Sequence, residues 1–296
     1  MALPEFDFHE PCTMDEACWI MTEKGGEARP IAGGTDLIVK MKKKVLSPGH
    51  LVSLSKIPTL NNIDIHDSSI RIGSCVTASD LAESGYVRAE FGALSKGAAG
   101  LGSPLIRNLA TIGGNIVSAR PAADLPPPLM AYGTKVVLRG KNGHRVIPLE
   151  NFFQGPGQTV AGPEEILTEI IVKRPGAHAG AGYIKLGARK ALEISLVNVA
   201  TFISLDCPGG TIQEARIVLG AVAPTPIRAC FAEEFLLGKR PGQALFARAG
   251  ELAALGSKPI DDFRGSAAYR MDMVDVLTRR TLDIALTEAC AERRPA

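Results

Sequence analysis

A chain of 296 residues that is 46% hydrophobic and 22% charged has the apolar content for two cores, at about 100–200 residues per domain. Its 33 Lys+Arg against 31 Asp+Glu leave a net charge of +2, which excludes a strongly basic nucleic-acid binder and an acidic disordered tail. No run approaches the ~18 apolar residues of a membrane span. The acidic start MALPEFDFHEP lacks the basic and apolar regions of a signal peptide, so a cytoplasmic location is expected.

In chain order, Thr13 is a candidate N-cap with Asp15 and Glu16 in the first turn of a helix that Gly25-Gly26 ends. Arg29–Ala32 leads into Gly33-Gly34-Thr35-Asp36, and Leu37–Lys44 reads as a helical turn. Its basic end, KMKKK, is either a solvated helix end or a dock for an acidic partner. Leu51–Leu54 reads as a strand, and Ile63–His66 with Ile70–Ile72 as a hairpin around Asp67-Ser68-Ser69. Residues 76–100 are helical in character, and a glycine- and proline-dense stretch runs from Gly100 to Pro128. There Pro126-Pro127-Pro128-Leu129 reads as a rigid turn rather than a docking surface. Lys135–Arg139 and Arg145–Pro148 flank Asn142-Gly143, the chemistry of a type I′ turn. Ile166–Val172 is a strand, and PGAHAGAG (Pro175–Gly182) reads as the domain boundary. Ser195–Leu205 and Thr211–Leu219 are strands, and the last sixty residues are helical, ending in a pattern from Ser266 to about Glu292. Strands followed by helices predict an α+β layer with helices over one face of an antiparallel sheet.

Cys12, Cys18, Cys75, Cys207, Cys230 and Cys290 never approach CxxC spacing, and the five histidines are equally scattered. Iron–sulfur and zinc sites usually draw several ligands from one loop, so reduced, mostly buried thiols are expected, and any redox cofactor on this chain should be organic. Two loops concentrate the chemistry instead. IAGGTDL (Ile31–Leu37) and LATIGGN (Leu109–Asn115) each set a Gly-Gly pair beside a threonine hydroxyl. Glycine lets backbone N–H groups approach an anion with no Cβ in the way. Each loop alone is equally an ordinary turn, and neither is a GxGxxG or Walker A motif.

The run GSPLIRNLATIGGNIVSARPAADLPPPL (Gly102–Leu129), with AGGTDL before it and LGAVAPTPIRA and AYRMDMVDVLTRRTL after it, resembles the FAD-binding medium subunit of the molybdenum hydroxylases, which include xanthine dehydrogenase and aerobic carbon monoxide dehydrogenase. The resemblance implies an α+β fold: a two-part FAD-binding domain of the PCMH (vanillyl-alcohol-oxidase-like) type over residues 1–176, then a smaller CO dehydrogenase flavoprotein-like domain over 177–296, with an antiparallel sheet and helices. It implies non-covalent FAD, since neither loop holds a histidine. The pyrophosphate would lie between Ala32, Gly33, Gly34, Thr35, Asp36 and Leu37, with Ile31 alongside, and Ala110, Thr111, Gly113, Gly114 and Asn115.

Asp124 matches an acidic residue that bonds cofactor hydroxyls, although Asp before a proline run is also a common turn residue. Leu101 and Leu167 fall where apolar residues line the flavin or adenine, and Tyr183 matches loosely a residue shielding the ring. Lys185 aligns with a lysine near the flavin, which could equally be a solvated surface lysine. No residue is assigned a catalytic or metal-binding role. The molybdenum cofactor and two [2Fe-2S] clusters are implied on a large and a small partner subunit, in a dimer of heterotrimers that passes electrons to an external acceptor. The cysteine-free stretch from Asp124 to Lys141 disfavours the 4-hydroxybenzoyl-CoA reductase branch, whose subunit carries an inserted iron–sulfur loop. A stand-alone flavin oxidoreductase and a non-catalytic assembly subunit are the alternatives.

Overall fold

The structure, a computed structural model, describes residues 3–189 and 192–291. The N-terminal part opens with a small parallel sheet in the order β1-β3-β2, from β1 (Asp7–His9), β2 (Ala28–Ile31) and β3 (His50–Ser53). Helix α1 (Met14–Lys24) begins where Thr13 Oγ1 accepts the Glu16 N–H and ends at Gly25, whose φ of +53° suits glycine. It buries Ala17, Cys18 and Met21 against Val52 and Leu54. Helix α2 (Leu37–Lys42) follows β2 directly, so the first glycine loop is a β2–α2 connection.

The second sheet is antiparallel. It contains the expected hairpin β4 (Ile63–Ile65) and β5 (Ser69–Gly73) and a second hairpin β6 (Lys135–Gly140) and β7 (Gly143–Pro148). The strand β10 (Ile166–Lys173) lies between β5 and β6, while β8 (Phe153–Gly155) and β9 (Gln158–Thr159) pair only with each other. The second hairpin turns one residue earlier than expected. Gly140 pairs with Gly143, so Lys141-Asn142 form the loop, and the positive φ falls on Gly143 alone. A type I′ turn needs positive φ at both central residues.

Between the hairpins, the helical stretch at 76–100 is three short helices, α3 (Ala78–Glu83), α4 (Gly85–Glu90) and α5 (Gly92–Ala99). Ser84 breaks the run by leaving helical backbone geometry and capping α4 through its Oγ. The glycine-rich stretch holds α6 (Pro104–Arg107), α7 (Ile112–Val117) and α8 (Pro126–Ala131). The three prolines expected in a turn instead form the buried first turn of α8, where a missing N–H costs least.

The C-terminal sheet is antiparallel, from β11 (Ala179–Leu186), β12 (Val197–Leu205), β13 (Ile212–Gly220) and β14 (Ile227–Arg228). It is covered on both faces, not one. Val197, Val199 and Ile203 pack beneath α9 (Cys230–Leu236), α10 (Gln243–Gly256) and α11 (Ala267–Cys290), whereas Ala200 and Phe202 join the core shared with the second sheet. That explains the near-continuous burial of β12. Glu292 lies outside the described residues.

PGAHAGAG is only partly a connection, because Ala179–Gly182 already belongs to β11. A Cβ on Gly180 would stand 2.2 Å from the Ala285 carbonyl, and one on Gly182 2.2 Å from that of Thr281. These glycines let α11 lie on the sheet. Only Cys18 and Cys75 are buried, and the other four cysteines are exposed, against the expectation of mostly buried thiols.

Candidate functional site

The first loop runs from Ile31, at the end of β2, to Leu37, at the start of α2, with Gly34 at φ +68°. Asp36 accepts a hydrogen bond from Ser118 Oγ at 2.9 Å and pairs with Arg120 at 2.6 Å, so its carboxylate points at the chain following the second loop. In the second loop Thr111 is buried and caps α7, its Oγ1 accepting the Gly114 N–H at 3.0 Å. The backbone pins this loop along the strand exit: Ala78 N–H donates to Ala110, Ile112 N–H to Val76 and Gly113 N–H to Ser74. The loops touch at Gly33, where a Cβ would lie within bonding range of the Leu109 carbonyl, 1.6 Å away.

Together they border a cavity of about 960 Å³. Ile31, Ala32, Gly33, Gly34, Thr35, Asp36 and Leu37 line one part, and Leu101, Ala110, Thr111, Gly114, Asn115 and Asp124 another. Four expected residues, Gly113, Leu167, Tyr183 and Lys185, lie off the wall. Gly113 is pressed on Ser74, Cβ to Cβ distance 2.6 Å if it had a side chain, and so serves the packing of α7. Leu167 is buried in the core of the second sheet. Lys185 is neither a solvated lysine nor a wall residue. Its Nζ donates to Asp124 Oδ2 and to the Gly100 carbonyl, both at 2.9 Å.

Asp124 therefore anchors a buried cluster: its Oδ1 accepts from Ser195 Oγ at 2.9 Å and Tyr183 OH at 3.4 Å. Tyr183 is buried there, off the cavity. Burial pushes the Asp124 carboxyl above its ordinary range, and Lys185, Ser195 and Tyr183 pull it back. Burial also holds the Tyr183 phenol well above its ordinary value.

Sequence reasoning missed the wall that the C-terminal part supplies. Leu192–Ile194, Ala221 with Ala223 and Pro224, and Lys258, Asp262, Arg264 and Arg270 all line the cavity. Hydrogen bonds from the Arg264 side chain hold Asp262 well below the usual carboxylate range. Arg270 carried a readable signal, a charge on the otherwise uncharged buried stripe of its helix.

Residues 4–175 match the family model of the FAD binding domain in molybdopterin dehydrogenase, and residues 182–285 that of the CO dehydrogenase flavoprotein C-terminal domain. The chain belongs to the FAD-binding medium subunits of the molybdenum hydroxylases. It is 32% identical over 285 residues to the carbon monoxide dehydrogenase medium chain of Hydrogenophaga pseudoflava, covering 96% of this chain and 98% of that one. With the xanthine dehydrogenase FAD-binding subunit of Escherichia coli O157:H7 it shares 29% over 289 residues, 96% and 98% of the two chains. Among solved structures, carbon monoxide dehydrogenase from Hydrogenophaga pseudoflava superposes with a TM-score of 0.93 at 33% identity, over 98% of this chain and all of that one.

As a member of that family the chain is an oxidoreductase flavoprotein subunit whose cofactor is FAD. The site suits it. The cavity is at the upper end of the range for small-molecule sites, about 300–1,000 Å³, as an extended dinucleotide needs. Its walls are largely apolar or glycine-rich, with hydroxyl groups such as Thr35 and charged groups including Asp36, Arg120, Asp124, Lys258 and Arg264 among them. Ile31–Leu37, Ala110, Thr111, Gly114 and Asn115 are the loop residues that face this cavity. Among the described residues no helix is long and apolar enough to cross a membrane.

Proposed function

We propose that this chain is the electron-transfer subunit of a multi-subunit molybdenum hydroxylase. It takes electrons from [2Fe-2S] clusters on a small partner subunit and passes them to an external acceptor. A large partner subunit with the molybdenum cofactor carries out substrate chemistry, and the whole assembles as a dimer of heterotrimers. FAD, when bound, supplies exchange between one-electron carriers and acceptors of one or two electrons. This chain's residues hold it between the two glycine loops, enclose it with the C-terminal wall and keep the Asp124 carboxylate beside the cavity. The same proposal divides the chain into residues 1–176 and 177–296.

The observation that carries this reading is the single cavity bordered by both glycine loops, in a chain that covers 98% of a carbon monoxide dehydrogenase medium chain. A cytoplasmic location belongs to the same proposal, and the six free cysteines are in keeping with a reducing compartment.

The test is purification of the chain alone and with its co-expressed partner subunits. Alone, it should carry FAD near one per chain and show no reduction of that flavin by candidate substrates. With both partners, substrate should reduce it. Substrate-driven reduction without partners would instead establish a stand-alone oxidoreductase.

A further inference from the structure

Arg270 stands in the first turn of α11 and is 2% exposed. Its stripe continues through Val274, Leu277, Thr278 and Thr281, all buried, where an apolar side chain would pack without desolvating a charge. Its guanidinium reaches three segments, two of them remote in sequence and the third just ahead of its own helix. Nη1 donates to the Leu196 carbonyl at 2.7 Å and to the Ala221 carbonyl at 3.2 Å, and Nη2 donates to Asp262 Oδ1 at 2.8 Å.

Each of those acceptors belongs to one piece of the C-terminal wall. Leu196 ends the loop whose Leu192, Glu193 and Ile194 face the cavity. Ala221 lines the cavity itself, stands at φ +63° and donates its N–H to the Pro121 carbonyl at 2.8 Å, which ties the wall to the chain beyond the second glycine loop. Asp262 also accepts two bonds from the Arg264 side chain, at 2.6 and 3.0 Å, and one from its backbone N–H at 2.8 Å.

We propose that Arg270 is the positioning residue of this wall: one buried guanidinium sets where three cavity-lining segments stand against bound FAD. The planar fork is what the role requires. A lysine ammonium keeps the charge but is a point donor on a flexible stem, and cannot span two carbonyls and a carboxylate in fixed directions. The inference rests on FAD occupying the cavity, and adds that the C-terminal part fixes FAD through a residue of its own helix.

The test uses the full chain and titrates FAD into the apo form, followed by flavin fluorescence and by the absorption spectrum of the bound flavin. Arg270→Lys should weaken FAD binding at least tenfold and alter the bound spectrum. Val274→Ala, one turn along the same buried stripe but off the wall, controls for general loosening and should leave binding within threefold. Asp262→Asn, which loosens one segment and keeps the guanidinium, should weaken binding about threefold to fivefold. The double variant should be no worse than Arg270→Lys, because the two residues act as a unit.

Arg270→Lys binding within threefold of wild type with an unchanged spectrum would overturn the proposal. So would a Val274→Ala loss as large as that of Arg270→Lys. If Arg270→Lys does not fold, unchanged binding in Asp262→Asn decides against it. A wild-type chain that binds no FAD would overturn the flavoprotein reading itself, and this inference with it.

Discussion

The Lys185 ammonium lies 2.9 Å from the Asp124 carboxylate inside the molecule, with 14% and 9% of the two side chains exposed. The two residues come from different halves of the chain, Asp124 from the turn before α8 and Lys185 from β11. The pair therefore joins the FAD-binding part to the C-terminal sheet at the cavity's edge.

Removing one partner of a buried pair strands the other charge, at about 3–5 kcal/mol. Lys185→Met is expected to lose that much stability in urea unfolding, while Asp124→Asn combined with Lys185→Met recovers most of it. A Lys185→Met loss below about 1 kcal/mol would show that the pair does not hold the two halves together.

Asp124 also makes a prediction in pH. Its carboxyl is raised in the folded chain by burial, from an ordinary value of 3.8. A folded state that binds the proton more tightly than the unfolded state is favoured at low pH. This contribution is complete below pH 3.8 and is lost as pH rises through the raised folded value. Urea midpoints of apo wild type should therefore fall relative to Asp124→Asn over that window. A gap that widens in favour of wild type would mean that Lys185 outweighs burial.

Neighbouring glycines in the second loop should separate folding from binding. An added Cβ at Gly113 meets Ser74 at 2.6 Å, so Gly113→Ala should cost about 1–3 kcal/mol of apo stability by overpacking. Gly114 lines the cavity and meets only the Thr111 hydroxyl, at 3.0 Å. Gly114→Val should weaken FAD binding at least tenfold while lowering the apo melting temperature less than Gly113→Ala does. Equal FAD affinity in Gly114→Val and wild type would remove the second loop from the site.

Gly182→Ala should destabilise without touching the cavity, because the new methyl would stand 2.2 Å from the Thr281 carbonyl. About 1–3 kcal/mol is expected, read from thermal or urea unfolding, with FAD affinity unchanged in the folded fraction. A variant as stable as wild type would mean that α11 can lift off β11 freely.

Local signals carried much of the fold. The Thr13 cap, the hairpin at Ile63–Ile72 and the long last helix each rest on chemistry confined to a few residues, and they stand where those residues put them. In PGAHAGAG glycine serves chain connection and close packing alike, and only the position of α11 tells the two apart. The solvated alternative for Lys185 fails because a lysine's burial depends on a carboxylate 61 positions away. That the two glycine loops come together at one cavity was legible through their family pattern. Its C-terminal wall was not, since Leu196, Ala221 and Asp262 converge only through the tertiary position of Arg270.

The contact of Gly33 with the Leu109 carbonyl has a kinetic consequence. The loops meet backbone to backbone within the protein itself, so their conformational entropy is lost when the chain folds and not when a ligand arrives. A dinucleotide entering between them meets two loops already in contact at Gly33. Its association should then be governed by diffusion and desolvation, with no slow phase of loop ordering in stopped-flow traces.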